Sequence, residues 1–112
     1  MIIFRSELNA IVTMLSWLAP TENVDGTAID YELNYVLYVN GAACMTVQVT
    51  EYQLAAMQCI SGPGEYTIAV SAFPRHVDLA VNPEVESDLS NTIVIRAEEV
   101  KRPKGPGALS TE

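Results

Sequence analysis

Alternation of apolar and polar side chains is the main pattern in this chain, and it is clearest between Pro63 and Ala72. Tyr66, Ile68 and Val70 fall on one face of this stretch, and the residues between them fall on the other. A period of two is typical of a half-buried strand. An aromatic residue that opens a strand just after a turn can place its ring in the core and bond its hydroxyl to the turn backbone. The stretch therefore predicts the central strand of a β-sandwich.

Six further segments have strand-like patterns, and turn residues separate them. Asn40-Gly41 predicts a hairpin, because both residues tolerate positive φ. The segment Tyr52–Ile60 fits helix or strand by its pattern, and its position before Ser61-Gly-Pro-Gly favours a strand. Seven short strands without a clear helix predict an all-β, antiparallel sandwich. The six segments are Met1–Phe4 (an edge strand), Ala10–Leu18, Tyr35–Asn40, Ala43–Thr50, Tyr52–Ile60 and Asn91–Glu98.

The length of 112 residues fits one domain with a tail. We expect the sandwich to occupy residues 1–100. Residues 101–112 form a basic tail, rich in Pro and Gly, that has no means of burying itself. The longest apolar run, Ile11–Ala19, is interrupted by Thr13 and Ser16 and is too short to span a bilayer. No membrane partner is expected.

Charge is unevenly distributed along the chain. The net charge is −8, yet residues 1–100 hold three arginines against thirteen acids, and every lysine lies in the tail. An acidic body argues against nucleic acid as a partner, because phosphate contacts need a basic face. Charged residues are only 18% of the chain, below the usual value of about 25%. Two explanations stay open: a well-filled core, or a surface covered by other subunits.

The two cysteines, Cys44 and Cys59, are too few for a disulfide framework. No secretory signal is visible at the amino terminus, so the expected setting is a reducing cytoplasm. Two small, free, buried thiols are the favoured interpretation. The alternative is a disulfide or redox pair, since a simple hairpin would bring the two residues face to face.

No residue pattern indicates catalysis or a cofactor. His76 is the sole histidine, and we interpret it as a loop residue. No serine lies in a nucleophile elbow, which activated-serine hydrolases need. Glu84, Glu86 and Asp88 are favoured as a solvated acidic loop over a weak cation site, since a Ca²⁺ loop needs more ligands and a pinning glycine. The sequence therefore predicts a protein that is not an enzyme and binds no metal.

Four pieces of the chain follow one another in a familiar order. They are Leu15-Ser16-Trp17 before Pro20, Asp25-Gly26-Thr27-Ala28-Ile29 before Tyr35-Val36-Leu37-Tyr38, Ile60 to Ala72, and Ser87–Asn91 before Thr92-Ile-Val-Ile. Together they resemble a fibronectin type III domain over roughly residues 8–100. The resemblance implies a seven-stranded, immunoglobulin-like sandwich with Trp17 at the core centre and Tyr66 as a tyrosine corner. Ile60 stands where the family usually has Leu, and residues 43–59 follow the family least. The predicted core residues are Leu15, Trp17, Tyr35, Leu37, Ile60, Tyr66, Ile68 and Val70.

The resemblance also implies a setting, because bacteriophage versions of this domain often carry such an Asp-Gly-Thr loop. A solitary domain without a signal resembles a small virion component: a capsid decoration, neck or tail accessory subunit. Its location would be the virion, after synthesis in the host cytoplasm. Its partners would be other virion structural proteins, in a multi-copy assembly. The predicted contact residues are an apolar face of Val12, Met14, Leu18, Val36 and Tyr38, and the tail cations Lys101, Arg102 and Lys104.

A carbohydrate- or cell-surface-binding module is the alternative function. Aromatic rings could form a stacking platform, and the loops that hold Asp25 and Asp78 could supply polar contacts. The opposing interpretation, that most of these rings fill the core, is favoured. The rings concerned are Tyr31, Tyr35, Tyr38, Tyr52 and Phe73.

Overall fold

The computed structural model describes residues 1–111 as an all-β protein with two antiparallel sheets. The five-stranded sheet has the order β1-β7-β6-β3-β4, and the second sheet pairs β2 with β5. The prediction of an all-β, antiparallel protein is confirmed. The strands are β1 (Ile2–Arg5), β2 (Met14–Ser16), β3 (Leu33–Val39), β4 (Ala42–Val47), β5 (Glu51–Gln53), β6 (Gly64–Pro74) and β7 (Ile93–Glu99).

Strand β6 is the centre of the five-stranded sheet, as its alternation predicted. It pairs with β3 on one side and with β7 on the other. The hydroxyl of Tyr66, near the start of β6, donates to the backbone carbonyls of Ser61 and Gly62, both at 3.0 Å. The predicted tyrosine corner is therefore present, and it attaches the turn before β6 to the strand itself.

The β3–β4 hairpin turns at Asn40 and Gly41, as predicted. Both residues have positive φ, 52° and 81°, which is the backbone of a two-residue hairpin loop. The Asn40 side chain also accepts a hydrogen bond from the Thr67 amide at 2.9 Å. The hairpin is thereby tied to the neighbouring β6, and β4 becomes one edge of the large sheet.

The core lies between the two sheets. Leu37 of β3 and Ile68 of β6 are almost completely buried, and Leu15 of β2 packs into the same cluster. Two further core residues, Leu54 and Met57, come from a 3-10 turn that follows β5. The small sheet and this turn together cover the inner face of the large sheet.

Two predicted strands are wrong in length. Ala10–Leu18 forms regular ladder only over Met14–Ser16, because its partner β5 has just three residues. Tyr52–Ile60 is strand only to Gln53 and then becomes the 3-10 turn Leu54–Ala56. Leu54 and Met57 are both buried, and a spacing of three matches the period of a 3-10 turn. A continuing strand would place these two side chains on opposite faces.

The predicted core residues all lie in the core or against it. Leu15, Tyr35, Leu37 and Ile68 are buried members of the cluster. The other four are partly buried and pack against it: Trp17, Ile60, Tyr66 and Val70. Trp17 meets the ring of Tyr35 edge-on, with ring centroids 5.6 Å apart.

Cys44 and Cys59 form a disulfide, which corrects the favoured interpretation of two free, buried thiols. Their Cα atoms are 6.0 Å apart, which suits a disulfide. Cys44 lies on β4 and is half-buried, whereas Cys59 is exposed after the 3-10 turn. Pairing arises because the chain between them folds as β5 and a turn, which returns Cys59 beside the sheet edge. The bond therefore connects an edge strand of the large sheet to the segment that covers the core.

Removing the Tyr66 hydroxyl should destabilise the fold without changing it. We expect Tyr66→Phe to lower the free energy of unfolding by about 1 kcal/mol, the usual net value of one such hydrogen bond. Urea denaturation followed by circular dichroism measures this. Tyr52→Phe is the matched control, because the tyrosine hydrogen bonds of residues 1–111 come from Tyr31, Tyr38 and Tyr66. Equal stability of Tyr66→Phe and wild type would contradict the assignment.

Loss of the disulfide should measurably lower the stability of the fold. The cysteines are 15 residues apart, and closing a loop of that size stabilises a fold by about 3 kcal/mol. We expect the Cys44→Ala/Cys59→Ala variant to unfold at clearly lower urea concentration than the oxidised wild type. Intact mass after alkylation without reduction tests the bond directly. Two alkyl groups on the wild type, purified under air, would show that the thiols are free.

Candidate protein-interaction surfaces

An apolar depression, the β2–β7 groove, lies on the side of the protein between β2 and β7. β2 pairs with β5 along one edge, and no described strand pairs with its other edge. Two adjoining cavities, of about 480 and 370 Å³, follow that open edge. Both are lined by Leu15, Ser16 and Ile93, so they form one continuous groove between the small sheet and β7.

Large apolar side chains stand exposed along this groove. Leu8 and Leu18 are 92% and 95% exposed, and Met14 is 40% exposed. Burying each such side chain would contribute about 1.5–3 kcal/mol, so a partner that covered several of them would gain substantially. The groove thus combines an unpaired strand edge with an apolar lining, which are the two requirements for adding a strand from another chain.

Three predicted contact residues come together here. Val12 and Met14 line one cavity of the groove, and Leu18 lines the other. Sequence reasoning missed Leu8 and Ile93, which line the same groove. Neither carries a signal of its own, because each is a single apolar residue, one in a loop and one at a strand start.

Val36 and Tyr38 do not join this surface, so the predicted single apolar face is wrong. Their neighbours Tyr35, Leu37 and Val39 belong to the core, and strand alternation places Val36 and Tyr38 on the outer face of the large sheet. The small sheet packs on the inner face. The predicted set is therefore divided between opposite sides of the protein. The alternation within each strand was interpreted correctly, but alternation does not show which strands belong to the same sheet.

The chain itself covers the outer face of the large sheet. The Glu86 carboxylate accepts hydrogen bonds from the hydroxyls of Tyr38 and buried Ser71. The hydrogen bond to Glu86 is the main cause that raises the pKa of Tyr38, and burial adds to it. The amides of Ser87 and Ser90 each donate at 2.8 Å to carbonyls of β6. Residues 87–90 therefore lie beside the edge of β6 that β7 leaves free after Ile68, and the Glu86 side chain reaches from there onto the outer face.

A second depression, the pole cleft, lies at the end of the protein where β6 finishes. It has a volume of about 350 Å³ and is formed by the loop between β2 and β3, the end of β6 and the turn Pro83–Val85. Its floor is apolar and includes Phe73, Pro74 and Tyr31, while Glu22 and Glu84 stand at its rim and are exposed. Sequence reasoning did not find this cleft, because its parts are more than sixty positions apart in the chain.

The basic tail projects away from the body. β7 ends at Glu99, and every described residue from Val100 to Thr111 is exposed. The described chain measures 71 × 27 × 22 Å, whereas the 11 residues of β6 cover only about 36 Å. The tail accounts for much of the remaining length. Lys101, Arg102 and Lys104 have no ion pair with a described residue, and the last tail residue, Glu112, lies outside the described residues.

The aromatic residues do not form a stacking platform. Tyr35 and Phe73 are buried, and the hydroxyl of Tyr38 is held by Glu86. Tyr31 is half-buried, donates to Asn23 at 2.5 Å and meets His76 edge-on. Tyr52 is half-buried on β5. All five rings are buried or half-buried, whereas a flat sugar-binding face needs rings that are exposed to solvent.

Polar groups elsewhere are engaged in the fold. Within residues 1–111, no cluster of three His, Cys, Asp or Glu side chains could hold a metal ion. Glu86 of the acidic loop is used by two hydroxyls, as described above. Asp25 accepts from the Thr27 side chain at 2.6 Å, and this bond is the main cause that lowers the pKa of Asp25. No helix among these residues is long and apolar enough to cross a membrane.

Comparison with protein-family models, curated proteins and solved structures gives no match to this chain.

Loss of the Glu86 carboxylate should loosen residues 86–90 from β6. We expect Glu86→Ala to accelerate hydrogen exchange of the Ser87 and Ser90 amides, because the carboxylate holds their segment against Tyr38 and Ser71. Exchange of the β3–β6 ladder should change much less. Glu84→Ala is the control, since Glu84 lies in the same turn without a side-chain hydrogen bond among the described residues. Mass spectrometry of exchanged peptides measures the effect, and equal exchange in both variants would contradict it.

Proposed function

We propose that this chain is a non-enzymatic structural subunit that docks onto larger proteins in a multi-copy assembly. The observation that carries this proposal is the β2–β7 groove, where an unpaired strand edge and exposed apolar side chains lie together. A strand from a partner would pair with the free edge of β2 and place alternate side chains in the groove. Hydrogen bonds of the backbone would supply affinity, and the cavities would select the side chains.

We also propose the finer description of the fold as a fibronectin type III-like sandwich. In immunoglobulin-type folds, the third, sixth and seventh strands share a sheet, and the second and fifth share the other. The pairings of β3, β6 and β7, and of β2 with β5, agree with that arrangement. The Tyr66 corner supports it as well. Pairing of β1 with β7 departs from the arrangement in which the first strand lies beside the second.

The assembly we propose is a bacteriophage particle, as the resemblance to phage versions of this domain implies. Partners would be virion structural proteins, and the protein would be located in the virion. The acidic body is a poor surface for DNA, so contact with proteins of the shell, neck or tail is favoured over contact with the packaged genome.

Association with particles tests the proposal directly. A tagged chain would be expressed in cells that produce the particles, and particles would be purified on a density gradient. We expect the wild-type tag in the particle fraction. Met14→Glu/Leu18→Glu should reduce that signal at least tenfold, because charges in the groove would be buried unpaired.

Val49→Glu is the matched control, because Val49 is also exposed but lies outside the groove. It should associate as the wild type does. Circular dichroism of all three proteins checks that the fold is intact. A wild-type chain that stays at the top of the gradient would refute the proposal, and a glycan array with clear binding would favour the adhesion alternative.

A further inference from the structure

The pole cleft and the basic tail lie at opposite ends of the protein. The cleft is formed where β6 ends, at Phe73 and Pro74. The tail begins after Glu99, whose strand passes Gly64, the first residue of β6. The length of β6, about 36 Å, therefore separates the two. Arg102 is three residues past Glu99 and reaches at most about 11 Å from it. The basic part of the tail cannot enter the cleft of its own chain.

The cleft and the tail are complementary in charge. Glu22 and Glu84 at the rim have no ion pair with any described residue. The three arginines of the body are all paired with Glu32 or Glu98. The cations left over are those of the tail, Lys101, Arg102 and Lys104. The cleft rim thus offers unpaired acids, and the unpaired side-chain cations of the described residues are all in the tail.

The cleft and the tail are complementary in shape as well. The tail sequence from Arg102 to Pro106 is Arg-Pro-Lys-Gly-Pro, which favours an extended, polyproline-like backbone. Such segments bind grooves lined by aromatic and proline rings, with little loss of conformational entropy. The cleft floor provides Tyr31, Phe73 and Pro74, and its size lies in the usual range for ligand sites.

We propose that the pole cleft binds the C-terminal tail of a second copy of this chain. Pro103 would pack on the apolar floor, while the neighbouring cations face Glu22 and Glu84. Because the two contact surfaces are different and lie at opposite ends, the contact is head-to-tail and joins copies into a ring or a filament. The inference deepens the proposed function, and rests on it, by naming one partner within the multi-copy assembly.

Charge reversal in the full-length chain tests this contact. The tail-reversed variant carries Lys101→Glu, Arg102→Glu and Lys104→Glu, and the cleft-reversed variant carries Glu22→Lys and Glu84→Lys. All five positions are exposed, so the fold should persist. We expect the wild type to self-associate with rising concentration at low ionic strength, as measured by sedimentation velocity. Each variant alone should stay monomeric, and an equimolar mixture of the two should associate again, because each tail then meets a cleft of opposite charge.

A labelled peptide of residues 100–111 supplies a second, independent readout. Fluorescence anisotropy should show that it binds the tail-reversed full-length chain, whose cleft is intact and whose own tail no longer competes. Binding to the cleft-reversed variant should be at least about tenfold weaker, a loss of about 1.4 kcal/mol. Salt at about 1 M should weaken binding, since it screens exposed charges. Replacing Pro103 and Pro106 of the peptide with alanine should weaken it further.

The control for charge alone is Glu51→Lys/Glu65→Lys, which makes the same change at two exposed positions outside the cleft. This variant should self-associate as the wild type does. The proposal is overturned if the wild type is monomeric and the peptide does not bind. It is also overturned if reversal at either end leaves self-association unchanged. The two proposals can be told apart by particle association. The groove contact predicts that association is lost on Met14→Glu/Leu18→Glu and kept in both reversed variants, whereas the tail–cleft contact predicts that self-association is lost in each reversed variant.

Discussion

A mismatch in width between the two sheets determines most of this structure. Five strands form one sheet, but the sheet that covers it has only two strands of three residues each. The inner face of the large sheet therefore needs cover from elsewhere. Leu54 and Met57 supply part of it from a 3-10 turn, and the disulfide from Cys44 to Cys59 holds that turn to the sheet edge. On the opposite side nothing in residues 1–111 continues the small sheet beyond β2, and the β2–β7 groove is the result.

The outer face of the large sheet is covered in a different way, and this determines which surface a partner protein can bind. The Glu86 carboxylate binds the hydroxyls of Tyr38 and Ser71 on that face, and the amides of Ser87 and Ser90 attach the following residues to the edge of β6. Val36, Ala69 and Phe73 are buried on the same face. A partner on this face would have to displace the Glu86 side chain and would lose its hydrogen bonds to Tyr38 and Ser71. The groove requires no such displacement, since its strand edge and its apolar lining are already exposed.

The sequence was most informative where a strand has neighbours on both sides. The alternation in Pro63–Ala72 and the Asn40-Gly41 turn predicted β6 and the β3–β4 hairpin, because pairing on both sides of β6 and β3 enforces a regular pleat. The prediction of a long strand over Ala10–Leu18 was wrong, because the strand it pairs with, β5, has only three residues. The groove was half predictable: Val12, Met14 and Leu18 lie on one segment, but Leu8 and Ile93 join them only through tertiary structure. Alternation shows which residues of one strand share a face, but it does not show which sheet the strand joins. The position of Val36 on the side opposite the groove was therefore not predictable.

Charge distinguishes the two contact surfaces and argues that they serve different partners. Residues 1–100 carry three arginines and thirteen acids, so two bodies of this chain repel each other when they meet side by side. The groove lies on that acidic body, and its proposed contacts, apolar packing and backbone hydrogen bonds, bring no positive charge to reduce repulsion between identical copies. In the proposed assembly, the β2–β7 groove therefore binds a larger protein that carries less negative charge. A head-to-tail contact places Lys101, Arg102 and Lys104 against the rim of a neighbour, so that opposite charges meet where the two copies touch. The chain would thus bind the particle through its side and its own copies through its ends.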